Sequence, residues 1–488
     1  MRRNISFLLG LREYNHYYCY HHRFIFSQNT RLLHSLSSDS THPIGEVAVL
    51  IQNIINFRRQ KSTDEIEQAL DRCGFELTED LVLNVLHVHL SDWLPAYVFF
   101  NWVCKKPGFS PGSEPYNKIL DILGKMRRFK EVRQVFDDMS NREGLVNEVT
   151  YGILLNRYAA AHMVDEAIGV FKRRKEFGFG LELDLLAFQT LLMWLCRYKH
   201  VEVAENLFYS FSKQHELIYS DIKTWNIVLN GWCVRGNVHE AKRFWREIMA
   251  SGCHPDLFTC GIFINALTKK GKLGTALKLF QAMWGYKRCN PDVTICNSII
   301  NALCFKKRIP DALQVFEEMN ERGCQPNAAT YNTLIKYLCN IRRMEKVYEF
   351  VDEMERKQGD CLPNHVTYSF LLKSLKRPEE VPALLERMER NGCNMIGDTY
   401  NLLLKLYMEW DCEERVIHTW NEMERNGLGP DQRSYTVMIH GYCDKGRRDD
   451  ALRYYREMKS KGLQLEPRTE KLVNSMNLNF DEKKSCMS

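Results

Sequence analysis

Residues 323–339 read GCQPNAATYNTLIKYLC, and the same cadence returns as GDCLPNHVTYSFLLKSL at 359–375 and LGPDQRSYTVMIHGYC at 428–443. Working outward from these stretches, unit starts fall at Thr78, Ser113, Glu148, Leu185, Ile222, Leu257, Val293, Ala328, His365, Gly397, Gln432 and Pro467, spaced by 32 to 37 residues. A period this constant is the mark of a solenoid, in which each unit buries its apolar face only against its neighbours.

The unit itself reads as two helices. From Ala328, the apolar positions Tyr331, Leu334, Ile335 and Leu338 share one helical face. A short polar break at Ile341–Arg343 follows. Then Met344, Val347, Phe350, Val351 and Met354 mark one face of a second helix, stopped before the next unit by Gly359 and Pro363. The predicted fold class is therefore all-α, an α–α solenoid of stacked helical hairpins. Gly236, Gly271 and Gly446 fall in the inter-helix turn. Ala167, Ala204, Ala241, Ala276, Ala312 and Ala451 recur at one place in the second helix, followed by a Phe and then a Met stripe. At helical spacing, once per unit, that stripe is expected to be core.

Residues 78–466 are expected to form eleven such hairpins, preceded by a helical lead-in at 46–77 and followed by a partial repeat and tail at 467–488. Residues 1–45 do not share the repeat. They hold Arg2, Arg3, Arg12, Arg23 and Arg31 but only Glu13 and Asp39 as acids, with serines between. Arg-rich, Ser-containing and acid-poor is the profile of an organelle transit peptide; the arginines favour the mitochondrion, with the chloroplast as the alternative.

Hydrophobic content is 45% and charged content 26%, ordinary for a folded protein, and the formal net charge is +6. No run of roughly 18 uninterrupted apolar residues suggests a membrane span. The 17 cysteines form no C-x-x-C pair and sit at helical spacing, which points to free thiols. Charge is shared unevenly. Second helices carry acid doublets such as Asp137–Asp138 and Asp352–Glu353, while first helices end in bases such as Lys125, Arg235, Lys306 and Lys445. If one helix set lines one surface, a basic track with an acidic outer side follows, which suits a phosphate backbone. His200-Val201-Glu202 matches half of a zinc deaminase motif without its P-C-x-x-C, and no P-loop, dinucleotide glycine motif or H-E-x-x-H is present. No enzyme activity and no cofactor are expected.

The pattern V-T-Y-N-T-L-I, turn Gly, helix-two Ala, F-x-x-M and G-x-x-P-D resembles the pentatricopeptide-repeat family, of the plant-organelle type built from 35-residue units. It is carried by "ATYNTLI" at Ala329, "VTYSFLL" at Val366, and "HPD", "NPD" and "GPD" ending at Asp256, Asp292 and Asp431. The resemblance implies a right-handed superhelix whose first helices face a single RNA strand, each unit reading one base. The reading residues it implies are the fifth and last of each unit, with the second helping to sandwich the base.

On this chain the implied pairs are Asn117 with Asn147, Asn226 with Asp256, Asn297 with Asn327, Asn332 with Asn364, and Asn401 with Asp431. Thr436 with Glu466 is non-standard. Asn with Asp suits uracil and Asn with Asn a pyrimidine, so the implied partner is a pyrimidine-leaning single strand of organellar RNA. Gly152 with Asp184, Gln189 with Asp221, Gly261 with Asp292 and Ser369 with Ile396 depart from the pattern. So do the charged second-place residues Glu114, Lys223, Asp398 and Arg433. The implied function is sequence-selective RNA binding in processing, stability, splicing or translation, with protein cofactors of those steps as possible partners. The alternative is a protein–protein scaffold or ribosome-associated subunit.

Overall fold

A computed structural model describes residues 43–57, 63–72, 74–174, 184–285, 289–357 and 359–475. Residues 1–42 of the expected leader and the tail from 476 lie outside them, while residues 43–45, expected to end the leader, open the helix Pro43–Phe57. Among the described residues every regular element is helical. No helix there is long and apolar enough to cross a membrane. The chain divides into two compact units, Met1–Tyr198 and Lys199–Ser488, and each is an α–α solenoid. Within each, a first helix packs against its own second helix and against the first helices of neighbouring hairpins. The first helices of each unit thus form a continuous layer.

From Ser113 to Gln432 each first helix starts where the period places a unit start, and capping is the reason where the preceding residue is Asn or Asp. Gly112 and Ile396 make no side-chain cap bond, and Thr78, itself a unit start, caps a helix that begins one residue later, at Glu79. Helices begin at Glu148, Leu257, Val293, Ala328, His365 and Gln432, and the residue before each is Asn or Asp. Its side chain accepts the backbone N–H three residues on: Asn147 from Thr150 at 3.0 Å, Asp256 from Thr259 at 2.7 Å, Asn327 from Thr330 at 3.1 Å, Asp431 from Ser434 at 2.7 Å. Such a cap is worth about 1 kcal/mol. The last residue of a unit is therefore the N-cap of the next, and its Asn/Asp identity is accounted for by helix initiation alone.

The stripes seen in the sequence are core. Ala204, Ala241, Ala276 and Ala312 are fully buried, as are Phe208, Phe244, Met319, Met354 and Met458. The turn glycines Gly236, Gly271 and Gly446 have φ of 81°, 71° and 72°, in the left-handed region that favours glycine. The acid doublets are not simply an outer face. One member of the doublet turns inward in two hairpins: Tyr116 donates to Asp138, and Tyr331 donates to Glu353 at 2.8 Å. These tyrosines are fully buried. Burial first, and Glu353 after it, push the Tyr331 phenol up to about 12 against the opposing Lys357.

Candidate functional site

On a first helix the second, fifth and ninth residues are separated by three and four positions, so they share one face. The structure shows what that face carries. Among the exposed large hydrophobics are Val149 (36%), Leu186 (48%), Phe258 (49%) and Val366 (48%), each the second residue of its unit. Exposed apolar side chains are ordinary singly but not when they recur at one repeat position.

The hairpins that carry these four have Gly152, Gln189, Gly261 and Ser369 at the fifth place; in other hairpins the fifth residue is a recessed asparagine. Asn226, Asn401, Asn117 and Asn332 are only 3, 2, 7 and 7% exposed. Asn is a poor helix former with no cap to make in mid-helix. Each of these amides, and that of Asn297, donates through Nδ2 to the cap residue of the following hairpin. Asn117 reaches Asn147 at 3.3 Å, Asn226 reaches Asp256 at 3.3 Å and Asn297 reaches Asn327 at 3.4 Å. Asn332 reaches Asn364 at 3.1 Å and Asn401 reaches Asp431 at 3.3 Å. The residues paired by the sequence register are thus brought together as hydrogen-bonded rungs across successive hairpins. Burial raises the Asp431 carboxyl, but the Ser434 backbone and hydroxyl and the Asn401 amide outweigh it and hold the group below its ordinary range. It is a carboxylate at neutral pH and a strong acceptor.

The acceptor ends of the amides differ. Oδ1 of Asn226, Asn297 and Asn401 is buried and accepts no hydrogen bond from the protein. A buried carbonyl left this way costs about 1–3 kcal/mol, and such groups are rare enough to need an explanation.

Other expected positions are placed differently. Thr436 turns its hydroxyl to the carbonyl of Gln432 in its own helix, 2.8 Å away. Ser369 points to its own backbone at Val366. Asp184 is held by Arg174 at 2.5 Å as well as capping Ala187. At Gly261 a Cβ would meet Ile295 at 3.5 Å, an ordinary contact, so packing does not demand the missing side chain. The charged second-place residues Asp398 and Arg433 pair with each other at 2.7 Å across adjacent hairpins. Several bases at first-helix ends are likewise engaged: Arg235 with Glu202 and Lys445 with Asp411.

A basic column does exist, at a place the sequence reading passed over. Lys336, Lys373 and Lys405 are the ninth residues of three consecutive units, on the face of the rungs. Lys373 has no ion pair among the described residues. Crowding by protein, then repulsion from Arg433 and Lys405, push its ammonium below the ordinary lysine range. The signal was available: Lys recurs at one register position in successive units, where Asn265 and Asn301 stand earlier in the chain.

Family models for the PPR repeat match residues 114–143, 149–179 and 258–287, and those for the PPR repeat family match 220–269, 291–340, 326–377, 397–444 and 430–469. The pentatricopeptide repeat-containing protein At3g15200 of Arabidopsis thaliana is 54% identical over 400 residues, 80% of this chain and 75% of its own length. A second from the same plant, At5g15010, described as mitochondrial, is 35% identical over 381 residues, 78% of this chain and 64% of its own. A solved structure of the pentatricopeptide repeat protein PPR10 with an 18-nt psaJ RNA element aligns over 89% of this chain and 64% of its own, at 21% identity and a TM-score of 0.40. With matches along both compact units and a relative alike over most of its length, the chain belongs to the pentatricopeptide repeat family.

Proposed function

We propose that this protein binds single-stranded RNA sequence-selectively in an organelle, the mitochondrion, one base to a hairpin, and acts on RNA processing, stability, splicing or translation by occupying its site. It is a binder with no chemistry of its own. The observation that carries this reading is the set of recessed, unpartnered amide oxygens of Asn226, Asn297 and Asn401. The second places that flank them are Lys223 and Phe258, Thr294 and Ala329, and Asp398 and Arg433, of which Phe258 is an exposed apolar side chain. A base slotted between two second-place residues presents a donor edge to such an oxygen, and stacking contacts of about 1–3 kcal/mol per base accumulate over hairpins. The Lys336, Lys373 and Lys405 column supports the reading, because cations beside the base slots are where a phosphodiester backbone runs.

The test is a selection of the full chain against a randomised single-stranded RNA pool at fixed salt. The expected result is a pyrimidine-leaning motif with U opposite Asn226 and Asn401, flattened at those letters by Asn226→Ala and Asn401→Ala. Recovery of nothing beyond salt-sensitive, sequence-independent binding would transfer the function to a protein-binding scaffold.

A further inference from the structure

The five rungs are alike in sequence but fall into two states, and the difference lies in a residue outside the pair. The third residue of the following hairpin is Thr150, Thr259, Thr330, Thr367 or Ser434. Its hydroxyl accepts the N–H of the cap residue in a capping box, and its one proton must go to some acceptor. At two rungs the hydroxyl lies closer to the reading amide than to the cap oxygen, which is 3.1 Å from Thr150 and 3.4 Å from Thr367. Thr150 Oγ1 donates to Asn117 Oδ1 at 2.7 Å, and Thr367 Oγ1 donates to Asn332 Oδ1 at 2.6 Å. At the other three it goes to the cap instead: Thr259 to Asp256 at 2.6 Å, Thr330 to Asn327 at 3.1 Å, Ser434 to Asp431 at 2.8 Å. The oxygens of Asn226, Asn297 and Asn401 are buried and receive no protein donor, the state called open below.

Two of the open rungs end in Asp and both closed rungs end in Asn. That fits a competition in which a carboxylate draws the hydroxyl more strongly than an amide does. Asn297 shows that an Asn cap also permits the open state.

We infer that Thr150 and Thr367 are specificity-determining residues that close the acceptor of Asn117 and Asn332, so that these two hairpins hold a base without discriminating strongly among bases. This rests on the RNA-reading function proposed above. In an open rung no protein donor fills the buried Oδ1, so a base that presses into the slot can take it as well as the second Nδ2 hydrogen. A closed rung offers only the hydrogen, which any base acceptor satisfies.

The experiment is the same RNA selection on the full chain, read letter by letter. In the unmodified protein, preference among the four bases opposite Asn226, Asn297 and Asn401 is expected to be about tenfold, against about threefold or less opposite Asn117 and Asn332. Thr150→Val and Thr367→Val, which remove only the hydroxyl, are expected to raise preference at their own letter to about tenfold and leave the other letters unchanged. Thr150→Ser and Thr367→Ser keep the weak preference. Thr259→Val is the structural control: it loses the same capping contact but must not alter the letter opposite Asn226. Equal preference at all five letters in the unmodified protein overturns the inference, as do Val variants that bind selectively but with an unchanged profile. If the Val variants do not fold, the comparison of letters in the unmodified protein decides. Absence of any sequence-selective RNA binding sinks the function instead, and is told apart because no letter then carries preference.

Discussion

Two adjacent hairpins, Ala328–Asn364 and His365–Ile396, differ in one stroke of construction. The first has a 13-residue opening helix, Ala328–Asn340, and ends in Asn364, which caps the next helix and takes the amide of Asn332. The second has a ten-residue opening helix, His365–Ser374, then a tight 3-10 turn at Pro378–Glu380, and ends in Ile396. Ile396 sits in the N-cap position of the helix Gly397–Glu409 without a side-chain cap bond. With Ser369 turned to its own helix, no rung forms there. The core is indifferent to this. Tyr331 and Ile335 in the first hairpin are buried to the same degree as Tyr368 and Leu372 in the second. Packing and rung formation are therefore separable, and a hairpin can keep its place in the stack while losing its reading edge.

Breaking the intact member gives the largest expected effect. Asn364 accepts from the backbone of Val366 and Thr367 at 3.0 and 3.2 Å and from Asn332 at 3.1 Å. Asn364→Ala removes all three contacts and strands the Asn332 amide. The expected loss is roughly 2 kcal/mol of stability, the upper end for a lost cap, seen as a lower midpoint in denaturant with an unchanged slope. A loss under about 0.5 kcal/mol, the lower end of that range, would show that the rung is incidental to the fold.

Repairing the defective member is a smaller change of opposite sign. Ile396→Asp places a carboxylate before Gly397 with Thr399 three residues on, the partner arrangement seen at Asp256 and Thr259. A gain of about 1 kcal/mol is expected, measured by the same denaturant titration. Adding Ser369→Asn completes the rung. It is expected to create a selective letter at that place in the RNA selection, where the unmodified chain has none.

How far this was legible in the sequence follows from where the information sits. Helix starts were legible from the period of the runs that carry Tyr331, Tyr368 and Tyr435; that Asn327, Asn364 and Asp431 cap those helices was not read from the sequence. The rungs were legible because a 30-residue spacing, as from Asn226 to Asp256, is fixed by the period. The two rung states were not. Thr150, Thr259, Thr330 and Thr367 look alike in sequence, and only the competition between neighbouring oxygens decides where each hydroxyl points. Nor was the inward turn of Asp138 and Glu353 readable, since a doublet on a helix surface does not say which member faces a buried tyrosine. In sequence, the in-phase Asn and Asp at unit ends read as base contacts. Their capping bonds show that helix initiation asks for the same residues, so the weight of the functional argument moves to the fifth-place asparagines.

The smallest effect belongs to the pair just beyond the short hairpin. Asp398 and Arg433 stand at second places of successive hairpins, where Val366 stands one hairpin earlier, and they meet at 2.7 Å with side chains 73 and 69% exposed. Exposed pairs of this kind contribute about 0.2–1 kcal/mol and are screened by salt. A double-mutant cycle of Asp398→Ala and Arg433→Ala is expected to return a coupling energy of that size, shrinking toward zero in ~1 M salt. The pair also spans the slot that a base opposite Asn401 would enter. Arg433→Ala alone frees Asp398 as an unpaired anion there, and RNA affinity is expected to fall further than in the double variant, which presents no charge. Equal affinities for the single and double variants would mean that the slot beside Asn401 does not lie along the strand.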